Sequence, residues 1–274
     1  MPQEPLMTPD PANERPPIRS VRVLIVALVG VLVGLGFYAV VSAVTTPRRT
    51  TPVYDPPVLA GQVIPGYCSA GVYARRGDTI VLTTSPHCGG EGLVAYDPGR
   101  TTVQGVFGPS ALDATCPYPG HTCASSDMNY LVVAPDRIPW GHLNVVDMGT
   151  GGYRVIEAGT KALGCAGIEI GDTIEVDGRG IYRSGPVEAI GENLHPPAED
   201  GSYFPCMIVA RVDVGGGDSG SVVLVHGIPA GVTSRNFNGM LGFTPLAEGL
   251  AQLGLELCTT PDCGLVRLDV PMEP

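Results

Sequence analysis

The sequence predicts an all-β fold, a sandwich or barrel of many short strands, on three observations. Runs of β-branched and apolar residues, too short for helices, follow one another through the chain beyond about residue 59. Turn formers separate them, with 38 glycines and 27 prolines in 274 residues. A single helical periodicity stands out, and it comes late.

Taken in order, residues 1–20 are polar and Pro-rich, the composition of a short disordered cytoplasmic tail. Residues 23–44 then run for 22 positions without a charge. As a helix that is roughly 33 Å, enough to cross a hydrocarbon core. Arg15, Arg19 and Arg22 precede the run and Arg48 and Arg49 follow it, so flanking charge leans only weakly toward an inside N-terminus. Two fates stand for the segment: an uncleaved transmembrane anchor over 21–44, or a signal peptide cut after Ala43. Its length exceeds the usual h-region of about 7–15 residues, which favours the anchor. Gly30 and Gly34 have the GxxxG spacing of paired helices, a spacing that ordinary glycine usage in a span also produces. Residues 45–57 carry Pro47, Pro52, Pro56 and Pro57 among threonines and charges, as a stiff stalk would.

A globular domain is expected over 58–262, with a C-terminal tail at 263–274. Strands are predicted at 79–84, 101–107 and 130–133, then at 172–176, 186–190, 206–214, 221–225 and 231–234. The region 135–152 divides the two groups. The late helix opens with Thr244 as its cap and Pro245 in its first turn, and Leu246, Leu250 and Leu253 recur along one face.

A formal net charge of -11 and the lack of any Lys/Arg cluster exclude nonspecific nucleic-acid binding, which needs clustered cations on phosphates. Eight cysteines in a non-metal pattern suit an oxidising space, so the domain is expected outside the cytoplasm, on the membrane or secreted if Ala43 is a cleavage point.

The most informative stretch is Gly215-Gly216-Gly217-Asp218-Ser219-Gly220-Ser221. A serine among glycines lies where the backbone bends sharply and amide N–H groups crowd a reacting carbonyl. An unassisted serine hydroxyl is a poor nucleophile; it needs a base, and the base needs a group that holds its tautomer. His87 ends a predicted strand and Asp127 opens one, so the candidates are Ser219 as nucleophile, His87 as base and Asp127 as its orienter. The amides of Gly217 and Ser219 are the candidate oxyanion hole. The α/β-hydrolase alternative fails, because Ser221 replaces the glycine of its G-x-S-x-G elbow and strands do not alternate with helices. His121, His142 and His195 read as loop residues, with no neighbour at a metal-ligand spacing, so neither a metal nor a cofactor is expected.

The order His, Asp, Ser is that of the chymotrypsin-like serine proteases, and residues 60–257 resemble that family, above all its bacterial streptogrisin and α-lytic branch. The resemblance rests on Tyr67-Cys68-Ser69-Ala70-Gly71 followed by Thr83-Thr84-Ser85-Pro86-His87-Cys88. It rests also on 171–173 through Val176-Asp177-Gly178-Arg179 to Ser184-Gly185-Pro186-Val187, on Gly231-Val232, and on Phe243-Thr244-Pro245-Leu246. It implies two antiparallel six-stranded barrels, near 58–138 and 150–245, with the active site in the cleft between them. It implies a serine endopeptidase acting on polypeptide through an acyl-enzyme. Three departures stand out. Thr-Ser-Pro precedes the histidine where the family usually has Thr-Ala-Ala or Thr-Ala-Gly. Gly-Ser follows the serine rather than Gly-Gly. No Ile-Val-Gly-Gly-type start appears near Gly61, so the site is expected to form without activation by a freed N-terminus.

Asp213, six places before Ser219, has two readings: the resemblance puts it where trypsin-like members carry a specificity-pocket carboxylate, which would select Arg or Lys, while the strand Arg211-Val212-Asp213-Val214 makes it an outward-facing residue. Eight cysteines allow 105 pairings. The resemblance supports Cys68–Cys88, and nearness in sequence suggests Cys116–Cys123 and Cys258–Cys263, which leaves Cys165–Cys206. Two further readings of the site are a catalytically inactive member of the fold serving as a binding or scaffold domain, and an acyl hydrolase of small esters. Oligomeric state has no sequence signal.

Overall fold

A computed structural model describes residues 58–64, 68–97, 102–111, 122–123, 126–191, 202–237 and 239–265. The expected tail, span and stalk over 1–57 lie outside the described residues, as do Cys116 and the predicted Cys116–Cys123 pairing. Among the described residues no helix is long and apolar enough to cross a membrane.

In chain order the strands are β1 (Val63–Ile64), β2 (Cys68–Ser69), β3 (Tyr73–Arg76), β4 (Thr79–Thr84), β5 (Val94–Tyr96), β6 (Val103–Phe107), β7 (Thr122–Cys123), β8 (Asn129–Val133), β9 (Val145–Asp147) and β10 (Tyr153–Val155). They continue with β11 (Thr173–Gly178), β12 (Ile181–Ile190), β13 (Ser202–Tyr203), β14 (Ile208–Asp213), β15 (Val222–Val225), β16 (Ile228–Phe237) and β17 (Met240–Pro245). One helix, α1 (Leu246–Leu253), and a last strand, β18 (Glu256–Leu257), close the described chain.

The C-terminal half is a closed six-stranded barrel in the order β11-β12-β14-β17-β16-β15. Alternation builds it: Ile208, Ala210 and Val212 of β14 point inward while Arg211 and Asp213 are exposed. Ile174, Val176, Val223, Leu241 and Phe243 complete that core. The β11–β12 hairpin turns at Arg179 and Gly180, whose φ values of 56° and 75° are both left-handed, as a two-residue hairpin with the strands' own twist requires.

The N-terminal half forms a six-stranded sheet in the order β18-β3-β4-β8-β6-β5, packed over Tyr73, Leu82, Leu131 and Met128. The expectation of two closed barrels is thus met in one half. Among the described residues the edges β5 and β18 do not pair with each other, and β18, at two residues, offers too short a ladder to close the sheet. The C-terminal segment does return to this half, since Glu256 and Leu257 pair with Arg75 and Ala74 of β3.

The helix begins differently from expectation. Thr244 is not its cap: it lies in β17, Pro245 holds the cap position, and no side chain caps the helix. The buried Thr244 hydroxyl is instead committed to Ser126 and Asp127, as described below. Helix α1 approaches the same segment closely; a Cβ on Gly249 would lie 2.7 Å from Met128 Cε and 2.9 Å from Ser126 Oγ, so a larger residue there would push these side chains aside. Disulfides join Cys68 to Cys88, Cys165 to Cys206 and Cys258 to Cys263.

Candidate active site

Asp127 lies just before β8, where the backbone is held from the other half of the molecule. Its N–H donates to the Thr244 hydroxyl at 2.9 Å, and the Ser126 hydroxyl is 3.1 Å from the same oxygen. The carboxylate oxygen Oδ2 accepts a short hydrogen bond from the Ser234 hydroxyl of β16 and a long one from Ser85 at 3.4 Å. Burial pushes this carboxyl above its ordinary range; the Ser234 bond, the charges of His87 and Arg235, and the Ser85 bond act against that push.

His87 is the middle residue of a single 3-10 turn, Pro86–Cys88, and its ring is exposed. Its Nδ1 is 2.9 Å from the Ser85 hydroxyl, which in turn reaches Asp127. The structure therefore brings His87 and Asp127 to one shared hydroxyl. Cys88, beside the histidine, is tied to Cys68, and its sulfur is 3.7 Å from the Ser219 carbonyl oxygen.

The serine loop is fixed to both halves. Ser69 donates its N–H to the Ser219 carbonyl at 2.8 Å and its hydroxyl to the Gly217 carbonyl at 2.9 Å. Gly220 N–H donates to Thr233 in the barrel at 2.8 Å. Arg179, at the β11–β12 turn, donates to the Gly216 carbonyl at 2.9 Å. Gly220 has φ +88°, and a Cβ there would collide with the Ser69 carbonyl and the Thr84 hydroxyl. Asp218 is buried; its Oδ2 accepts from Gly215 N–H at 2.8 Å and pairs with Arg183 of β12 at 3.0 Å. A cation from within the barrel thus meets this buried carboxylate.

The amides of Gly215, Asp218, Gly220 and Ser221 are all spent on internal acceptors. Among the described residues, the amides of Gly217 and Ser219 have none, and Gly217 has φ +102°. Two unpaired N–H groups flanking a nucleophile are what a developing oxyanion needs.

Asp213 is exposed at the end of β14, between buried Val212 and Val214, opposite Met240 of β17. An exposed carboxylate attracts a basic side chain less than a desolvated one. Among the described residues, Cys68, His87 and Cys88 bring three ligand-type atoms within 4.8 Å of one another, but the two sulfurs are bonded to each other and offer no thiolate. Behind the loop, buried Asp177 has its carboxyl pushed up to about 7, chiefly by burial and then by the charge of Asp147.

Sequence reasoning missed Ser85, Ser234, Thr244 and Arg183 as parts of this site. Ser85 carried the clearest signal, as a polar residue where the resembling family has alanine.

No protein-family profile matches the chain, and no curated protein matches it in sequence. Solved structures do match. It is similar to a glutamic-acid-specific serine protease described as using a histidine triad in substrate binding, with a TM-score of 0.57 and 22% identity over 73% of this chain and 100% of that one. Thermobifida fusca protease A gives 0.56 and 21% over 73% and 98%. Cellulomonas bogoriensis chymotrypsin gives 0.52 and 22% over 74% and 100%. The fold is therefore that of the chymotrypsin-like bacterial serine proteases.

Proposed function

We propose that this chain is a serine endopeptidase, anchored by residues 21–44 with its domain outside the cytoplasm, that hydrolyses polypeptide. Ser219 Oγ attacks the scissile carbonyl and gives its proton to His87 Nε2. The amides of Gly217 and Ser219 receive the oxyanion, and Asp127 stabilises the imidazolium. His87 then returns the proton to the leaving amine, and water repeats the sequence on the acyl-enzyme. One observation carries the reading: His87 and Asp127 converge on a single hydroxyl, beside a serine loop whose two unpaired amides flank Ser219. The serine-protease fold of the similar structures supports it, and the three disulfides support an oxidising location.

The test is fluorophosphonate labelling of the full chain in detergent beside Ser219→Ala. Labelling of wild type alone is the expected result. A folded wild type that never labels would make the domain a binding module. A peptide library run against small esters on the same material separates peptidase from esterase.

A further inference from the structure

We infer that Ser85 is a positioning residue that links His87 to Asp127 through its hydroxyl, an inference that rests on the catalytic roles proposed above. Ser85 is fully buried and occupies the N-cap of the turn Pro86–Cys88. A serine there ordinarily accepts a hydrogen bond from the first turn of its own helix. This one makes no such bond, and Pro86 at the first position has no N–H to offer. The hydroxyl faces the imidazole Nδ1 at 2.9 Å and Asp127 Oδ2 at 3.4 Å instead.

A hydroxyl has one hydrogen and two lone pairs, and a carboxylate only accepts. The Ser85 hydrogen therefore goes to Asp127, and a Ser85 lone pair faces the ring. Nδ1 must then carry the imidazole hydrogen, which leaves Nε2 bare, the tautomer a general base toward Ser219 requires. When Nε2 takes the serine proton, the positive charge is balanced by Asp127 through a polarised hydroxyl. The Nδ1 and Ser85 hydrogens stay where they are, so the relay transfers no proton. Alanine, usual at this place in the resembling family, has no atom to fill the role.

The test uses the full chain in detergent, with Ser85→Ala, Asp127→Asn and the double variant. Two readouts are taken: kcat and KM on a peptide substrate, and the pH midpoint of His87 carbethoxylation followed by mass spectrometry. Ser85→Ala is expected to lower kcat about 10- to 100-fold with KM within about two-fold, the size of one hydrogen bond to a charged group. It is expected to move the carbethoxylation midpoint to lower pH, because the hydroxyl link that favours the charged ring is lost. The two single losses are expected not to multiply in the double variant, because both break one chain of bonds. An unchanged kcat and midpoint in Ser85→Ala would mean that the ring closes directly onto Asp127 and would overturn the inference, as would losses that multiply. If wild type proves inactive, the proposed function falls, and the midpoint alone still decides for or against the link.

Discussion

Arg183→Met should cripple the serine loop, and the structure sets the scale. Asp218 is buried, with its side chain 2% exposed, and Arg183 reaches it at 3.0 Å with its own side chain 24% exposed. At that separation and an effective dielectric near 20, the attraction is about 5 kcal/mol before desolvation is counted. Removing one partner of a buried pair costs about 3–5 kcal/mol, because the remaining charge is left without compensation. Solvent at the guanidinium and the surviving Gly215 N–H bond argue for the lower end, about 3 kcal/mol. For a domain of this size that is a fall in Tm of roughly 6–12 °C. Asp177 feels the loss as well, since Arg183 offsets the charges of Asp147 and Asp218 around it. The assay is thermal unfolding of the full chain, together with the fluorophosphonate labelling rate. Arg183→Met should show that fall in Tm and lose most of its labelling. The double variant Arg183→Met/Asp218→Asn should recover much of the stability, because no buried charge is then stranded. A single variant that melts within about 1 °C of wild type and labels at its rate would refute the reasoning.

Three further outcomes are expected. Asp177→Asn should stabilise the protein in a pH-dependent way. The carboxyl rises from 3.8 to about 7 on folding, so the folded state holds the extra proton between those values and stability declines as pH rises through them. Chemical denaturation should show the variant gaining most above pH 7, up to ~4 kcal/mol, and nothing below about pH 4. Gly220→Ala should cost about 3 kcal/mol and abolish labelling, since its φ of +88° and the Ser69 and Thr84 oxygens leave no room for a Cβ; labelling and Tm measure both effects. Replacing Cys165 and Cys206 together by alanine opens a loop of sequence separation 41 and should lower stability by ~4 kcal/mol on the chain-entropy scale, read by urea unfolding under non-reducing conditions.

What was legible in the sequence was local. Strand runs such as 79–84 and 221–225 announce themselves by β-branched residues, and the glycine loop announces its serine. The barrel is partly legible too, because the end of β14 alternates, with Ala210 and Val212 buried and Arg211 and Asp213 exposed. The illegible parts are the long-range hydroxyl contacts. Ser234 meets Asp127 across a separation of 107 residues and Thr244 meets it across 117, and no local spacing encodes either. Thr244 also misleads by its neighbours: a threonine before proline and a leucine repeat reads as a cap, yet β17 continues through Pro245 and turns the hydroxyl inward. Arg183 had half a signal. A buried aspartate beside the serine, without an N-terminal activation sequence, calls for an internal cation, but nothing in sequence says which of 16 lysines and arginines supplies it.

The two halves divide the residues of the candidate site between them. The N-terminal half contributes His87, Asp127, Ser85 and Ser69; the C-terminal half contributes Ser219, Ser234, Thr244 and Arg183. Polar bonds between identified groups cross the boundary: Ser69 to Ser219 and Gly217, Thr244 to Asp127, Ser234 to Asp127. Each demands alignment within a few tenths of an ångström, which apolar contact alone does not. Docking the halves and aligning these groups are therefore one event. In that docked state Arg183 pairs with Asp218 and holds the serine loop from within the barrel.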